Sequence, residues 1–184
     1  MLNLWTWGYI IEIYSLIAKI NIPILSHIDN FGLIFMPVAL LLLGIIYTKT
    51  HIKLTYQIAL LFVFPVVDFL IFITNDYHHL YFVQYSFYNN LVLYGDFFAM
   101  HTIGSYVYIF TGLAFMLYSS IKNSGFFSVQ STLTLIGIII PFSMNILLTL
   151  KILVLPVYST PITFSFAILF FALAIFRFQF LKIS

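Results

Sequence analysis

Two acidic side chains lie inside long apolar stretches of this sequence, where a charge is costly. Glu12 stands in the middle of the first stretch, and Asp68 lies well inside the third, three residues after Pro65. Ionisable residues at membrane depth usually face other helices and pair with polar groups there. One interpretation is that each carboxyl is a structural group, which is protonated or paired across helices. The alternative is that it contacts a ligand or acts as a proton-linked switch. Pro65 loosens the backbone hydrogen bonding just before Asp68, because proline has no N–H.

A second polar group follows the third apolar stretch, in the sequence TNDYHH over residues 74–79. If the helix continues, Asn75 lies on the same face as Asp68 and close to His78 and His79. Adjacent histidines cannot point the same way on a helix, and a metal ion needs more ligands at suitable spacing. We therefore predict no metal site and expect Asn75 and His78 to form hydrogen bonds or to capture a cation.

Small and hydroxylated residues form a stripe along the fourth apolar stretch, at spacings of three and four residues. Its members are His101, Gly104, Ser105, Tyr108, Thr111 and Gly112. Residues of these types allow membrane helices to approach closely, which favours a helix-packing seam. The alternative is a face that lines a ligand site, for which His101 is the first candidate.

The sequence has none of the common motifs of nucleotide binding or catalysis. It has no Walker loop, no GxSxG, no HExxH and no dinucleotide-binding glycine fingerprint. It has no cysteine, which excludes disulfides and thiolate chemistry, and its net charge of +2 is too small for a nucleic-acid surface. We predict that this chain is not an enzyme, holds no cofactor and binds no nucleic acid.

The elements that carry these residues must be membrane helices. Hydrophobic residues make up 63% of the 184 residues and charged residues only 7%, whereas soluble domains carry about 25% charged residues. The apolar runs are continuous, which predicts helices and not barrel strands. We predict one all-α transmembrane domain over residues 1–184, with no soluble domain and about six spanning helices. They cover about Leu2–Ile20, Phe31–Thr48, Leu54–Thr74, Phe97–Ile121, Val129–Leu150 and Thr160–Leu181.

Lysine and arginine in the short connections predict the orientation of these helices. One side holds Lys49, Lys53, Lys122, Arg177 and Lys182, whereas the opposite connections, residues 76–96 and 154–159, hold none. Positive residues favour the cytoplasmic side, so both termini are predicted in the cytoplasm and the chain in the cell membrane. Lys19 and Lys151 disagree, but each is a single charge that can snorkel to the interface.

The longest connection, residues 75–94, is predicted to be external and is dense in aromatic residues. These are Tyr77, Tyr81, Phe82, Tyr85, Phe87, Tyr88 and Tyr94. Amphipathic rings favour the membrane–water interface, which predicts an interfacial hairpin or short helix. The alternative is a lid over an outward-facing ligand pocket.

A set of short motifs occurs in a fixed order along the chain. Its positions are Trp5 to Glu12, Gly32 to Pro37, Thr74-Asn75-x-x-His78, Tyr94-Gly95, Phe97-Phe98, His101-x-x-x-Ser105-Tyr106, Gln130, Gly137, Pro141, Asn145, Thr160-Pro161 and Arg177. This ordered set resembles the N-terminal seven-transmembrane region of bacterial and archaeal histidine kinases. The resemblance covers nearly the whole chain and corresponds to the second to seventh helices of that family.

The resemblance implies a membrane sensory input module of a two-component histidine kinase, or a stand-alone relative of it. Family members carry a further first helix and continue into dimerisation and kinase domains, so we expect an output domain in cis or in trans and a homodimer. We expect a small ligand or a membrane stimulus to act on a pocket between the outer helix ends. Its lining would be Glu12, Asp68, Asn75, His78, His101, Ser105 and Tyr106.

Two other functions remain open on the sequence alone. A small transporter or permease would use Glu12 and Asp68 as coupling carboxylates, although no inverted repeat of broken helices is present. A structural membrane subunit would pack its helices against a larger partner. All three functions place the chain in the lipid bilayer, which is therefore a predicted partner in each case.

Overall fold

The computed structural model describes residues 2–18, 24–48, 56–86, 91–150, 152–153, 163 and 167–174. Its elements in chain order are α1 (Leu2–Ile17), α2 (Ile24–Thr48), α3 (Tyr56–Leu60), α4 (Val63–Ile73), α5 (Asn75–His78), β1 (Phe82–Ser86), β2 (Leu91–Tyr94), α6 (Phe97–Lys122) and α7 (Phe126–Thr149). Residues 167–174 are helical as well. The described part of the chain is therefore all-α apart from one hairpin, which confirms the predicted fold class.

Four helical stretches among the described residues are long and apolar enough to cross a membrane. They are Asn30–Thr48, Tyr56–Ile73, Phe97–Lys122 and Ser128–Leu148, and they coincide with the second to fifth predicted segments. In the first segment α1 has 16 residues, slightly fewer than the roughly 17 that a span requires. Most of the sixth segment lies outside the described residues, so a total of about six spans stays a prediction.

The predicted start of the second helix is wrong by seven residues. The apolar run begins at Phe31, which is the predicted start, but α2 begins at Ile24. Polar residues such as His27 and Asn30 interrupt the hydrophobic pattern without interrupting the helix. The apolar run therefore predicts the part of α2 that is apolar enough to cross a membrane, and not the whole helix.

The third predicted helix contains a break that Pro65 explains. Residues 61–62 form a turn between α3 and α4, in which Leu61 N–H donates to Ile58 O at 3.1 Å and Phe62 N–H to Ala59 O at 3.0 Å. Because Pro65 has no N–H, it cannot donate to the carbonyl of Leu61 four residues earlier. The loosened hydrogen bonding expected before Asp68 is thus confirmed.

Contacts divide the chain into two compact units. The first comprises Met1–Leu41 with Lys53–Phe110, and the second comprises Leu42–Ile52 with Thr111–Ser184. The core of the first unit is a cluster of buried side chains from α2, α4 and the chain before β1, with more aromatic rings packed around it. Its buried members are Ile34, Phe35, Val38, Phe72 and Tyr81.

The connection between α5 and α6 is an antiparallel hairpin of β1 and β2. Phe82 pairs with Tyr94 and Tyr85 with Val92, and the register shifts between Phe82 and Gln84, which indicates a bulge. Gly95 N–H donates to Tyr81 O at 3.0 Å. A side chain at Gly95 would collide with the backbone carbonyls of residues 79 and 80, so glycine is required where the hairpin returns to α6. Of the predicted hairpin or short helix, the structure shows a hairpin, and its place at the membrane interface stays a prediction.

Hydroxyl groups and glycines hold the second unit together. A Cβ at Gly44 of α2 would lie 2.5 Å from the carbonyl oxygen of Gly112 on α6, so the two backbones touch as in other small-residue helix contacts. Ser119 Oγ donates to Tyr47 O at 2.9 Å, and the hydroxyls of Tyr47 and Thr134 are 2.8 Å apart. Interhelical hydrogen bonds and close backbone packing therefore join α2, α6 and α7 in this unit.

The residues that predicted the orientation of the chain lie largely outside the described part. Only Lys122, the last residue of α6, is described among them. The others are Lys19, Lys49, Lys53, Lys151, Arg177 and Lys182. The same holds for the Thr160-Pro161 pair. The predicted orientation therefore stays a prediction.

Candidate functional site

The first unit contains a buried pair of ionisable side chains on two different helices. Asp68 on α4 is fully buried and His101 on α6 is 8% exposed. Asp68 Oδ2 lies 2.6 Å from His101 Nδ1, slightly below the range of about 2.7–2.9 Å that charge-assisted N–H···O hydrogen bonds usually have. Removing one partner of such a pair typically destabilises a protein by about 3–5 kcal/mol, because the other is left buried without compensation. The pair therefore ties α4 to α6.

Two neighbouring contacts fix the spacing of α4 and α6 around this pair. The ring of Phe64 lies against the Cα of Gly104, where any side chain on α6 would collide with it. The hydroxyl of Tyr108 donates to the carbonyl of Leu61 at 3.0 Å, which is the carbonyl that Pro65 leaves without its helical partner. The stripe on α6 is therefore a packing seam at Gly104 and Tyr108, as one of the two alternatives predicted.

Tyr81 covers the pair from the side of the hairpin. Its side chain is 1% exposed, and its ring centroid lies 5.2 Å from that of His101 and 5.7 Å from that of Phe98. Burial, together with the nearby charge of Asp68, raises the pKa of the Tyr81 phenol well above its usual value. Tyr81 therefore keeps its proton and presents an O–H donor beside the pair.

Asn75 fastens the hairpin to the end of the α4–α5 segment. Its Oδ1 accepts hydrogen bonds from the backbone N–H groups of Tyr81 at 2.8 Å and Phe82 at 3.0 Å. Its Nδ2 donates to Phe82 O at 2.9 Å. The side-chain amide thus replaces three backbone partners that the chain lacks where it turns from helix to strand. We call Asn75 and His78 together the hairpin clip.

His78 completes the hairpin clip with both ring nitrogens. Its Nδ1 accepts from Leu80 N–H at 3.0 Å, and its Nε2 lies 3.0 Å from Thr74 Oγ1. Because Nδ1 is an acceptor, the proton of the neutral ring must be on Nε2, which then donates to Thr74. The threonine hydroxyl in turn donates to Leu70 O at 2.7 Å, the last turn of α4. The hydrogen bonds expected of Asn75 and His78 are therefore present.

The shared face predicted for Asp68 and Asn75 is wrong, because the helix between them does not continue. α4 ends at Ile73, Thr74 forms a turn, and Asn75 begins the short helix α5. His79 then takes a left-handed conformation with φ of 54° and ends α5. The helical periodicity of the sequence is interrupted at Thr74, between Asp68 and Asn75. Asn75 binds the backbone of Tyr81 and Phe82 and not the carboxyl.

The predicted site residues fall into two groups within the described part of the chain. Asp68 and His101 form the buried pair, and Ser105, which is 6% exposed, follows His101 by one turn of α6. The residues of the hairpin clip form the second group. Of the other two predicted residues, Tyr106 packs its ring edge-on against Phe110, with 6.4 Å between the ring centroids, and the side chain of Glu12 lies outside the described residues, although α1 includes its backbone.

Sequence reasoning missed Tyr81 as a site residue. It was one of seven aromatic residues assigned to the interface, and its type and spacing did not set it apart from the others. Its burial follows from the reversal at His79 and the hydrogen bond of Gly95 to its carbonyl, which are tertiary features. Within the described residues, no group of three or more acidic or histidine side chains comes together that could hold a metal ion.

These features define a polytopic helical membrane protein with a buried acid–histidine pair beneath an aromatic hairpin. A family model described as the N-terminal 7TM region of histidine kinase matches residues 1–184. The chain therefore belongs to this family, which confirms the resemblance seen in the sequence motifs. The family region is a sensory input module and does not include the kinase catalytic domain. Neither the comparison with curated proteins nor that with solved structures gave a match.

Proposed function

We propose that the chain receives the stimulus of a two-component sensor in the cell membrane and passes it to a kinase output domain in cis or in trans. The observation that carries this proposal is the Asp68–His101 pair, buried between two apolar helices. Ionisable groups at membrane depth are costly and are therefore expected to serve a function. Both termini are taken to be cytoplasmic, with the hairpin on the external side.

The pair joins the part of the chain near the hairpin to a long helix. His101 lies in the second turn of α6, which runs without interruption from Phe97 to Lys122, a length of roughly 39 Å at about 1.5 Å per residue. A stimulus that shifts α4 against α6 at Asp68 changes the position of α6, and a continuous helix carries that change to its other end. The two packings of α4 and α6 are the two signalling states.

The proposal is tested by joining residues 1–184 to the dimerisation and kinase domains of a histidine kinase and measuring autophosphorylation in membranes. Asp68→Asn keeps the size of the side chain but removes its charge. The loss of one partner of a buried pair, about 3–5 kcal/mol, exceeds the few kcal/mol that usually separate two conformational states. We expect basal autophosphorylation to change at least about tenfold, which corresponds to about 1.4 kcal/mol.

The matched control is Asp76→Asn, because Asp76 is an exposed aspartate in the first turn of α5. It should leave autophosphorylation at the level of the unchanged protein. An Asp68→Asn protein that inserts in equal amount and signals like the control would refute the assignment of the pair to signalling.

A further inference from the structure

Three buried polar atoms in the first unit have no hydrogen-bond partner among the residues that the structure describes. They are Asp68 Oδ1, Tyr81 OH and Ser105 Oγ. Their side chains are 0%, 1% and 6% exposed, so bulk water does not reach them. Most buried polar groups in native proteins are paired, and leaving one unpaired costs about 1–3 kcal/mol. Three such atoms in one unit call for a physical explanation.

The three atoms belong to one cluster around the acid–histidine pair. Asp68 Oδ1 is the second oxygen of the carboxyl whose Oδ2 binds His101. The ring of Tyr81 lies 5.2 Å from the ring of His101, centroid to centroid. Ser105 follows His101 by four residues on α6, a rise of about 6 Å. All three unpaired atoms therefore belong to the pair itself or to side chains next to it.

The hydroxyl of Ser105 does not take the local partner that a helix offers. Serine and threonine in helices commonly donate to the carbonyl four residues earlier, and Thr102 on the same helix does so, to Phe98 O at 2.9 Å. Ser105 Oγ makes no such bond among the described residues. Its hydroxyl is thus available to a group that is not part of the helix backbone.

We propose that this cluster is a binding site for a small neutral molecule that carries a hydroxyl group, held by Asp68 Oδ1, Tyr81 OH and Ser105 Oγ. Asp68 Oδ1 accepts a hydrogen bond, and the two hydroxyls both donate and accept, so a hydroxyl guest can satisfy all three. The guest is neutral because a net charge at this depth is costly and the pair is least costly when its own charges sum to zero.

Two sources supply this chemistry: a water molecule enclosed during folding, or a short alcohol that partitions into the membrane. As a stimulus site the cluster rests on the proposed function, since occupancy would then set the packing of α4 against α6. Binding itself does not rest on it, because it is measured on the chain alone, without any kinase activity.

The test measures the unfolding equilibrium of the full chain in lipid–detergent micelles, with Tyr81→Phe, Ser105→Ala and the double variant. Each substitution removes one hydroxyl oxygen and leaves the rest of the side chain. If a guest bridges the two hydroxyls, each single change raises the unfolding constant by about fivefold, as for one lost hydrogen bond. The double change should raise the unfolding constant by clearly less than the product of the two single factors, because both hydroxyls hold the same guest.

A gain of stability in the variants, where the proposal expects a loss, would overturn the proposal. If the hydroxyls are buried without a guest, removing them relieves an unpaired group, and both variants become more stable than the unchanged chain. Additive effects of the two changes would also overturn it, since they would show separate partners. Tyr77→Phe is the control, because Tyr77 is 89% exposed and its change should leave the unfolding constant within about twofold.

A second measurement distinguishes the two sources. Ethanol is titrated into the unchanged chain and into the double variant, which corrects for effects on the micelle. An alcohol guest stabilises only the unchanged chain, in proportion to its occupancy. With a water guest the two proteins respond alike, and NMR magnetisation transferred from water reaches the buried Ser105 side chain. If ethanol does not selectively stabilise the unchanged chain and no magnetisation is transferred from water to the Ser105 side chain, the proposed site is wrong.

Discussion

Replacing Asn75 with alanine should detach the hairpin from the α4–α5 segment without unfolding the helices. The change removes three hydrogen bonds of 2.8–3.0 Å to the backbone of Tyr81 and Phe82. At about 1 kcal/mol each, with some replacement by water because Asn75 is only half-buried, the loss is about 2–3 kcal/mol. The local opening equilibrium of this segment should therefore rise by about 30- to 140-fold, at tenfold per 1.4 kcal/mol.

Amide hydrogen exchange measures this opening directly. The amides of Tyr81 and Phe82 donate to Asn75 Oδ1, so their exchange should accelerate by the stated factor, whereas amides in the middle of α6 should keep their rates. Asn75→Asp keeps an acceptor at this position and loses the donor to Phe82 O. It should therefore accelerate exchange by only about fivefold, the value of one hydrogen bond.

The control for this experiment is Asp76→Ala, next in sequence and exposed. It should leave the exchange of both amides unchanged. If Asn75→Ala also leaves them unchanged, the hydrogen bonds of the hairpin clip do not hold the segment, and the structural role of Asn75 is refuted. A response of the amides in α6 as large as that at Tyr81 would instead mean that Asn75 stabilises the whole unit.

Two further predictions concern helix packing and orientation. Tyr108→Phe should lower the free energy of unfolding by about 1–3 kcal/mol, because it leaves the Leu61 carbonyl without a partner. Denaturant unfolding measures this difference. An effect no larger than that of Tyr77→Phe, at an exposed tyrosine, would contradict the prediction. Since the chain has no cysteine, single cysteines can be labelled without background. A cysteine at Gln84 in the hairpin should react with a membrane-impermeant maleimide in intact cells and one at Ser124 only after lysis, and the reverse pattern would contradict the proposed orientation.

The sequence predicted the second to fifth apolar segments as candidate spans because continuous hydrophobic length identifies them. The fourth predicted segment, Phe97–Ile121, differs from α6 by one residue, since it is bounded by Gly95-Asp96 on one side and by Lys122 on the other. The helix break at residues 61–62 was foreseen only as a loosening at Pro65. Whether a proline bends a helix or ends it depends on the partner for the freed carbonyl, and Tyr108 is 47 residues away.

The sequence identified most residues of the candidate site but did not show which of them contact one another. Asp68 and His101 were both identified as polar groups at depth, yet their partnership spans 33 residues and includes a hairpin that no periodicity describes. Asn75 was instead assigned to the face of Asp68, because the sequence gives no sign that α4 ends at Ile73. The left-handed conformation of His79 is the feature that redirects the chain after α5. Residues other than glycine are uncommon in that conformation even though histidine is enriched there, so the sequence does not indicate it.

The chain between Asp68 and His101 explains how residues that do not contact the pair can affect it. Asp68 and His101 are its two ends, and between them the chain carries the hairpin clip, Tyr81 and the hairpin. Asn75 holds the backbone N–H of Tyr81, and the ring of Tyr81 lies beside His101. A variant of Asn75 therefore changes the cover of the pair without touching either ionisable group. Loss of signalling in such a variant would accordingly show coupling through Tyr81 and would not identify Asn75 as a ligand contact.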